Sequence, residues 1–176
     1  VLSPGDLWEA AAATRALVEK PGPGYLRLDK LAAKTTGRPG EAFELGRARM
    51  IRNGYDITLM ATGGVLGEAI TAAEWLAHED IACRVLSVHS LKPFDADAVE
   101  AAARETGGIV TIEEHSLLGG LAGAVAETCL ERGVMPRKLA RHGLPDCFAT
   151  EVGSQSYLRA QYGIDSNSIV DSVCSL

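Results

Sequence analysis

From residue 56 onward the chain repeats one pattern: a short apolar run, a turn rich in Gly or Pro, then an amphipathic stretch. The apolar runs are DITLMAT (56–62), IACRVLSVH (81–89) and GGIVTIE (107–113), with a fourth strand at RKLARHG (137–143). The amphipathic stretches are VLGEAITAAEWLAHE, DADAVEAAARET and LAGAVAETCLERG, and two more helices, SQSYLRAQYG and SNSIVDSVCSL, end the chain. Unbroken apolar runs suit strands buried on both faces. Their alternation with helices predicts a parallel sheet joined by right-handed crossovers, a doubly wound α/β sandwich.

The first 46 residues are less regular. Ser3-Pro4-Gly5-Asp6 reads as a helix start, with Ser3 as N-cap, Pro4 at the first helical position and Asp6 three residues after the cap. The helix LWEAAAATRALVEK is stopped by Pro21-Gly22-Pro23-Gly24, and a short strand is expected from Tyr25 to Leu28. The polar stretch 29–46, DKLAAKTTGRPGEAFELG, reads as a linker or surface loop and as the domain boundary. ARMIRNG then gives a short strand ended by an Asn-Gly turn. One helix and one short strand bury too little surface to complete a domain, so residues 1–46 are expected to be an incomplete piece and residues 47–176 a whole domain.

Composition narrows the function. The 176 residues are 47% hydrophobic, 23% charged and only 5% aromatic, which favours helices packed on a sheet over an aromatic-rich all-β fold. A formal charge of −6, with no basic cluster, argues against nucleic acid or an anionic membrane as a partner. Cys83, Cys129, Cys147 and Cys174 are too far apart for a zinc knuckle or redox pair; each is expected to act as a small hydrophobe in a reduced, cytoplasmic setting. No signal peptide and no bilayer-length apolar stretch is apparent, and the chain opens on Val1 without an initiator methionine.

Several residues carry possible chemistry. Thr62-Gly63-Gly64 stands at a strand-to-helix junction that can cradle a phosphate, but the dinucleotide fingerprint and the Walker lysine are absent, so a tight turn is the better reading. Glu113, Glu114 and His115 precede Gly119-Gly120 at the expected switch point of the sheet. Adjacent residues of an extended chain point to opposite sides, so these three cannot converge unaided, and a polar loop is expected there. Asp6 and Glu9 suit capping and the helix dipole; His78 ends a helix, while His89 and His142 follow strands and are expected to hydrogen-bond in loops. Arg27 and Lys30 close the strand YLRLDK. Two cations there suit a phosphate as well as they suit a solvated basic edge, and the residues alone leave both readings open.

Taken in order, SPGDLWEA, GPGYLRLDK, the block from DITLMATGG to LKPFDADAV, GGIVTIEEHSLLGGLAGAVAE and GLPDCFATEVGSQSYLRAQYGI resemble the C-terminal portion of the transketolases. The series covers nearly the whole chain. The resemblance implies that residues 1–46 are the tail of the pyrimidine-binding domain. Residues 47–176 would then be the C-terminal domain, a three-layer α/β/α sandwich on a mostly parallel five-stranded sheet with an antiparallel edge strand at ARMIR. It implies transfer of a two-carbon ketol unit between sugar phosphates by a homodimer using thiamine diphosphate and Mg²⁺. The segments that hold that cofactor, and the glutamate and histidines that act on it, would lie before Val1, so none is expected on this chain. Its partner would be the remainder of the enzyme, on the same polypeptide or on a separate N-terminal subunit. In this family a basic residue closing the pyrimidine domain grips the substrate phosphate. That position falls at Lys30, where relatives commonly have Arg, with Arg27 a strand-step earlier; lysine binds there as a point charge without the bidentate fork. The alternatives are a 1-deoxyxylulose-5-phosphate synthase fragment, whose Arg-Tyr-Pro-Arg type ending LRLDK lacks, and a free-standing anion- or nucleotide-binding module using the helix N-termini after Gly64 and Gly120.

Overall fold

The computed structural model describes residues 1–30 and 33–176; positions 31 and 32 of the expected linker lie outside the described residues. Five strands form one sheet: β1 (Arg49–Arg52), β2 (Ile57–Thr62), β3 (Cys83–Ser87), β4 (Ile109–Ser116) and β5 (Leu139–Leu144), in the spatial order β1-β3-β2-β4-β5. β1 pairs antiparallel with β3, and the other pairings are parallel. The helices are α1 (Leu7–Glu19), α2 (Leu66–His78), α3 (Ala96–Glu105), α4 (Leu121–Arg132), α5 (Gln155–Gln161) and α6 (Ser166–Cys174).

β2 and β3 are buried along their whole length, as unbroken apolar runs require. Alternate residues feed two cores. Ile57, Leu59, Val85 and Ile112 pack with Leu76 of α2 and Ile169 of α6 on one face. Met60, Leu86 and Ile109 pack with Val99 of α3 and Val125 of α4 on the other. This is the expected three-layer α/β/α sandwich with an antiparallel edge. The connection leaving β2 turns toward β3 and that leaving β4 toward β5, so the switch point lies between the carboxyl ends of β2 and β4, where Thr62 is in register with Glu113.

Local expectations fail where a contact distant in sequence overrides the local signal. The N-cap of α1 is Asp6, not Ser3: the Asp6 carboxylate accepts the Glu9 N–H, while Ser3 is tied into the domain by its N–H to the His89 carbonyl. Tyr25–Leu28 is no strand; it reduces to an isolated parallel bridge between Leu2 and Leu26, because Leu2 also bridges Ser90 and offers a single rung. β4 does not end at Glu113 but continues through His115 to Ser116, pairing irregularly with β5, so the expected polar loop is strand. Of the cysteines, Cys83 and Cys129 are buried as expected, whereas Cys147, in the loop after β5, and Cys174, at the end of α6, are exposed.

Candidate functional site

The chain's own carboxylates meet the backbone donors at the switch point. Neither α2 nor α4 carries a capping side chain at its N-cap position. At α4, Glu113 reaches back so that its two oxygens accept the N–H groups of Leu121 (2.6 Å) and Ala122 (2.9 Å). Burial raises the Glu113 pKa, and these two donors oppose the rise. On the 3-10 turn Gly63–Val65 that leads into α2, Asp29 Oδ2 accepts the Gly64 N–H at 2.6 Å, and Oδ1 pairs with Arg27 Nη1, also at 2.6 Å. Each helix end therefore holds a carboxylate, the group its dipole and free N–H groups favour. Glycine is required at both seats: a Cβ on Gly64 would collide with Asp29 Oδ2, and one on Gly120 with Glu113 Oε2.

Glu114 diverges from Glu113, as alternation demands. Glu114 faces the opposite side of the sheet and pairs with Arg159 of α5, which also reaches Glu68 of α2 (3.3 Å). His115 is exposed, its Nδ1 2.6 Å from the Glu114 carbonyl oxygen. All three border one cavity of about 200 Å³ together with Arg27, but their side chains turn to separate partners, and among the described residues no group of three or more His, Cys, Asp or Glu side chains is placed to hold a metal ion.

Arg27 and Lys30 also part company. Arg27 folds back onto Asp29 and lines a cavity of about 200 Å³ at the switch point, beside Leu2, Thr62 and Leu91. Lys30 is exposed and lines a different cavity of about 220 Å³, with Asp6, Leu7, Leu28 and its neighbour Asp29. The alternation of an extended chain accounts for this: Arg27 and Asp29 share one side, Leu28 and Lys30 the other. A larger cavity, about 570 Å³, lies between the start of α2 and residues 33–36. Its charged lining is Asp6, Asp29, Glu68 and Glu74 against Lys34 and an Arg159 that is already paired, an acidic balance that suits an anion poorly.

A third polar cluster ties the first 46 residues to the sheet. Glu9, expected to serve the helix dipole, is instead fully buried. It accepts from Gly5 N–H (2.6 Å), Ser87 Oγ (3.0 Å) and Arg49 Nη1 (2.6 Å). Arg49 also donates to Glu41 (2.8 Å) and lies 4.4 Å above the Trp8 ring. Phe43 stacks on His89 at 4.3 Å, and among the described residues neither ring nitrogen of His89 has a hydrogen-bond partner, contrary to the expected loop hydrogen bond. Burial and the Arg49 charge lower the His89 pKa to about 4. His142 lies within β5 rather than after it, and its Nδ1 meets the Gly163 carbonyl at 2.7 Å. Sequence reasoning passed over Asp29, Arg49 and Arg159 because their partners lie 35, 40 and 45 positions away. The one local trace is the Arg27–Asp29 spacing, which places opposite charges on one side of an extended segment.

Comparison with known proteins agrees with this architecture. The family model described as transketolase, C-terminal domain, matches residues 46–169. A 6-deoxy-6-sulfo-D-fructose transketolase subunit of Clostridium sp. (strain MSTE9) is 41% identical over 170 residues, covering 97% of this chain and 52% of that protein. An apulose-4-phosphate transketolase subunit of Phocaeicola vulgatus is 35% identical over 170 residues, covering 96% of this chain and 53% of its own length. The chain thus spans about half the length of these curated relatives. A solved split-gene transketolase, described as an inactive beta4 tetramer, superposes with a TM-score of 0.90 at 34% identity, over 99% of this chain and 56% of that one. The switch-point fold and these similarities together place the chain in the transketolase family, as a bearer of its C-terminal domain.

Proposed function

We propose that this chain is the C-terminal part of a thiamine-diphosphate-dependent transketolase that moves a two-carbon ketol unit between sugar phosphates. The observation that carries the reading is similarity along the whole chain, at 41% and 35% identity, to subunits named as transketolases. Residues 1–46 are the tail of the pyrimidine-binding domain, and residues 47–176 support the fold and the assembly. Donors that could serve a diphosphate, at the turn before α2 and at the N-terminus of α4, already bind Asp29 and Glu113. The cofactor and its Mg²⁺ are therefore held by the other half of the enzyme, on the same or a separate polypeptide. When bound there, the cofactor supplies the electron sink of the reaction. The same occupancy argues against a free-standing anion- or nucleotide-binding module.

The role of this chain toward substrate rests on Lys30, exposed on the edge of the N-terminal segment. The relatives are named for sugars with an anionic end, one a sulfonate and one a phosphate. A solvent-facing ammonium suits such a group as a point charge. Arg27, neutralised by Asp29, supports the segment rather than gripping the substrate directly. Two measurements test the proposal. Calorimetric titration with thiamine diphosphate and Mg²⁺ gives no binding to this chain alone and clear binding to the assembled enzyme. In that assembly, Lys30→Ala raises KM for phosphorylated donors about tenfold, the scale of a lost charge-assisted contact. Cofactor binding by the isolated chain, or an unchanged KM, would overturn the corresponding part.

A further inference from the structure

We propose that Asp29 is a positioning residue: seated on the Gly63-Gly64 turn, it fixes the direction in which Lys30 presents its charge to the substrate. The inference rests on the reading of Lys30 as the anion grip. Asp29 is held by two short bonds, one to the α2 N-terminus through Gly64 N–H and one to Arg27, and its side chain is only 9% exposed. The next residue of an extended chain must point the other way. With Asp29 pinned inward, Lys30 is driven outward, where it is exposed. A flexible lysine gains little from one ionic contact unless its backbone is already held, and the socket holds it.

The surroundings are shaped for this. Gly63 has φ of +75°, and a Cβ there would come within 2.9 Å of Arg27 Nη1 and 3.0 Å of Ser3 Oγ. Gly64 has no room for a Cβ because Asp29 occupies that space. Both glycines are therefore demanded by the docked Arg27–Asp29 pair as well as by the turn. Arg27 has a second effect: it cancels the Asp29 charge beside Lys30, so an arriving anion meets the lysine without an adjacent carboxylate repelling it. The C-terminal domain, which brings no reacting group of its own, thereby sets the geometry of a substrate contact in the neighbouring segment.

The test uses the assembled enzyme with donors bearing and lacking a phosphate, and reads kcat and KM separately. Asp29→Ala and Gly64→Ala should each raise KM for the phosphorylated donor about five- to tenfold, as Lys30→Ala does, with kcat held within about twofold. Asp29→Ala added to Lys30→Ala should give little further loss, because both act through one contact. Asp29→Asn keeps an acceptor for Gly64 N–H and should retain part of the effect; it is the variant to use if the alanine enzyme fails to fold. Full additivity with Lys30→Ala, or equal KM increases for both donors, overturns the inference and leaves the Lys30 reading standing. An unaffected Lys30→Ala enzyme removes both together.

Discussion

Glu9 Oε1 lies 2.6 Å from Arg49 Nη1, and both side chains are shut off from solvent. The pair bridges two parts of the chain that the sequence assigns to different domains. Removing one partner leaves the other charge buried alone, so Arg49→Met should destabilise the protein by about 3–5 kcal/mol. Adding Glu9→Leu should recover much of that loss, since two apolar side chains fill the site without a stranded charge. Urea unfolding of the two variants checks this. A double variant as unstable as Arg49→Met would show that the hydrogen bonds of Glu9 to Gly5 and Ser87 matter more than the pair.

The sheet and its helices were legible because each depends on local periodicity, whereas the antiparallel edge strand β1 followed from the resemblance and not from the pattern. The carboxyl edge was much less so. Glu113 looked like one of three acid/base candidates in a loop, yet it is a helix cap on a strand that runs three residues further than its apolar pattern. Asp29 drew no attention because its partner is the backbone of Gly64, and backbone donors leave no mark in sequence. Polar residues acting across the fold are chosen by three-dimensional proximity, which hydrophobic periodicity does not encode.

His89 should make stability fall as the solution is acidified. Its ordinary pKa is near 6.5 and its folded value about 4, so below 6.5 the unfolded chain takes up a proton that the folded one refuses. Stability is lost as pH drops through that window, by at most about 3 kcal/mol at 1.36 kcal/mol per unit. The charges that act on the ring are Arg49, which resists protonation, and Asp95, which favours it. His89→Phe, which preserves the stack on Phe43, should flatten the stability profile between pH 6.5 and 4. A profile of unchanged slope would assign the dependence elsewhere.

Two glycines of one helix should respond in opposite directions to the same substitution. A methyl on Gly120 would occupy the place of the Glu113 carboxylate, so Gly120→Ala should break the cap and cost about 1–3 kcal/mol. Gly123, three residues on, has nothing within 4 Å of its absent Cβ. There the helix-forming advantage of alanine should show as a gain of about 0.5–1 kcal/mol. Thermal melts of the pair distinguish a seat built for Glu113 from a merely glycine-tolerant turn.

His115 is exposed, with its Nδ1 turned onto the carbonyl oxygen of its own neighbour. In the assembled enzyme His115→Ala should keep kcat within about threefold, and a fall of about a thousandfold, the scale of a lost general acid or base, would contradict this. Glu114→Ala should differ, releasing Arg159 from its strongest partner and lowering the melting temperature.

The two helix ends at the switch point have the character of receptors supplied with tethered ligands. Asp29 and Glu113 compete for those N–H groups at an effective concentration set by the chain, on the order of millimolar or more even for a flexible tether. The crevice that doubly wound sheets usually offer to cofactors is here a joint held by the chain's own side chains. The geometry it imposes on Lys30 is accordingly the same whether substrate is scarce or abundant.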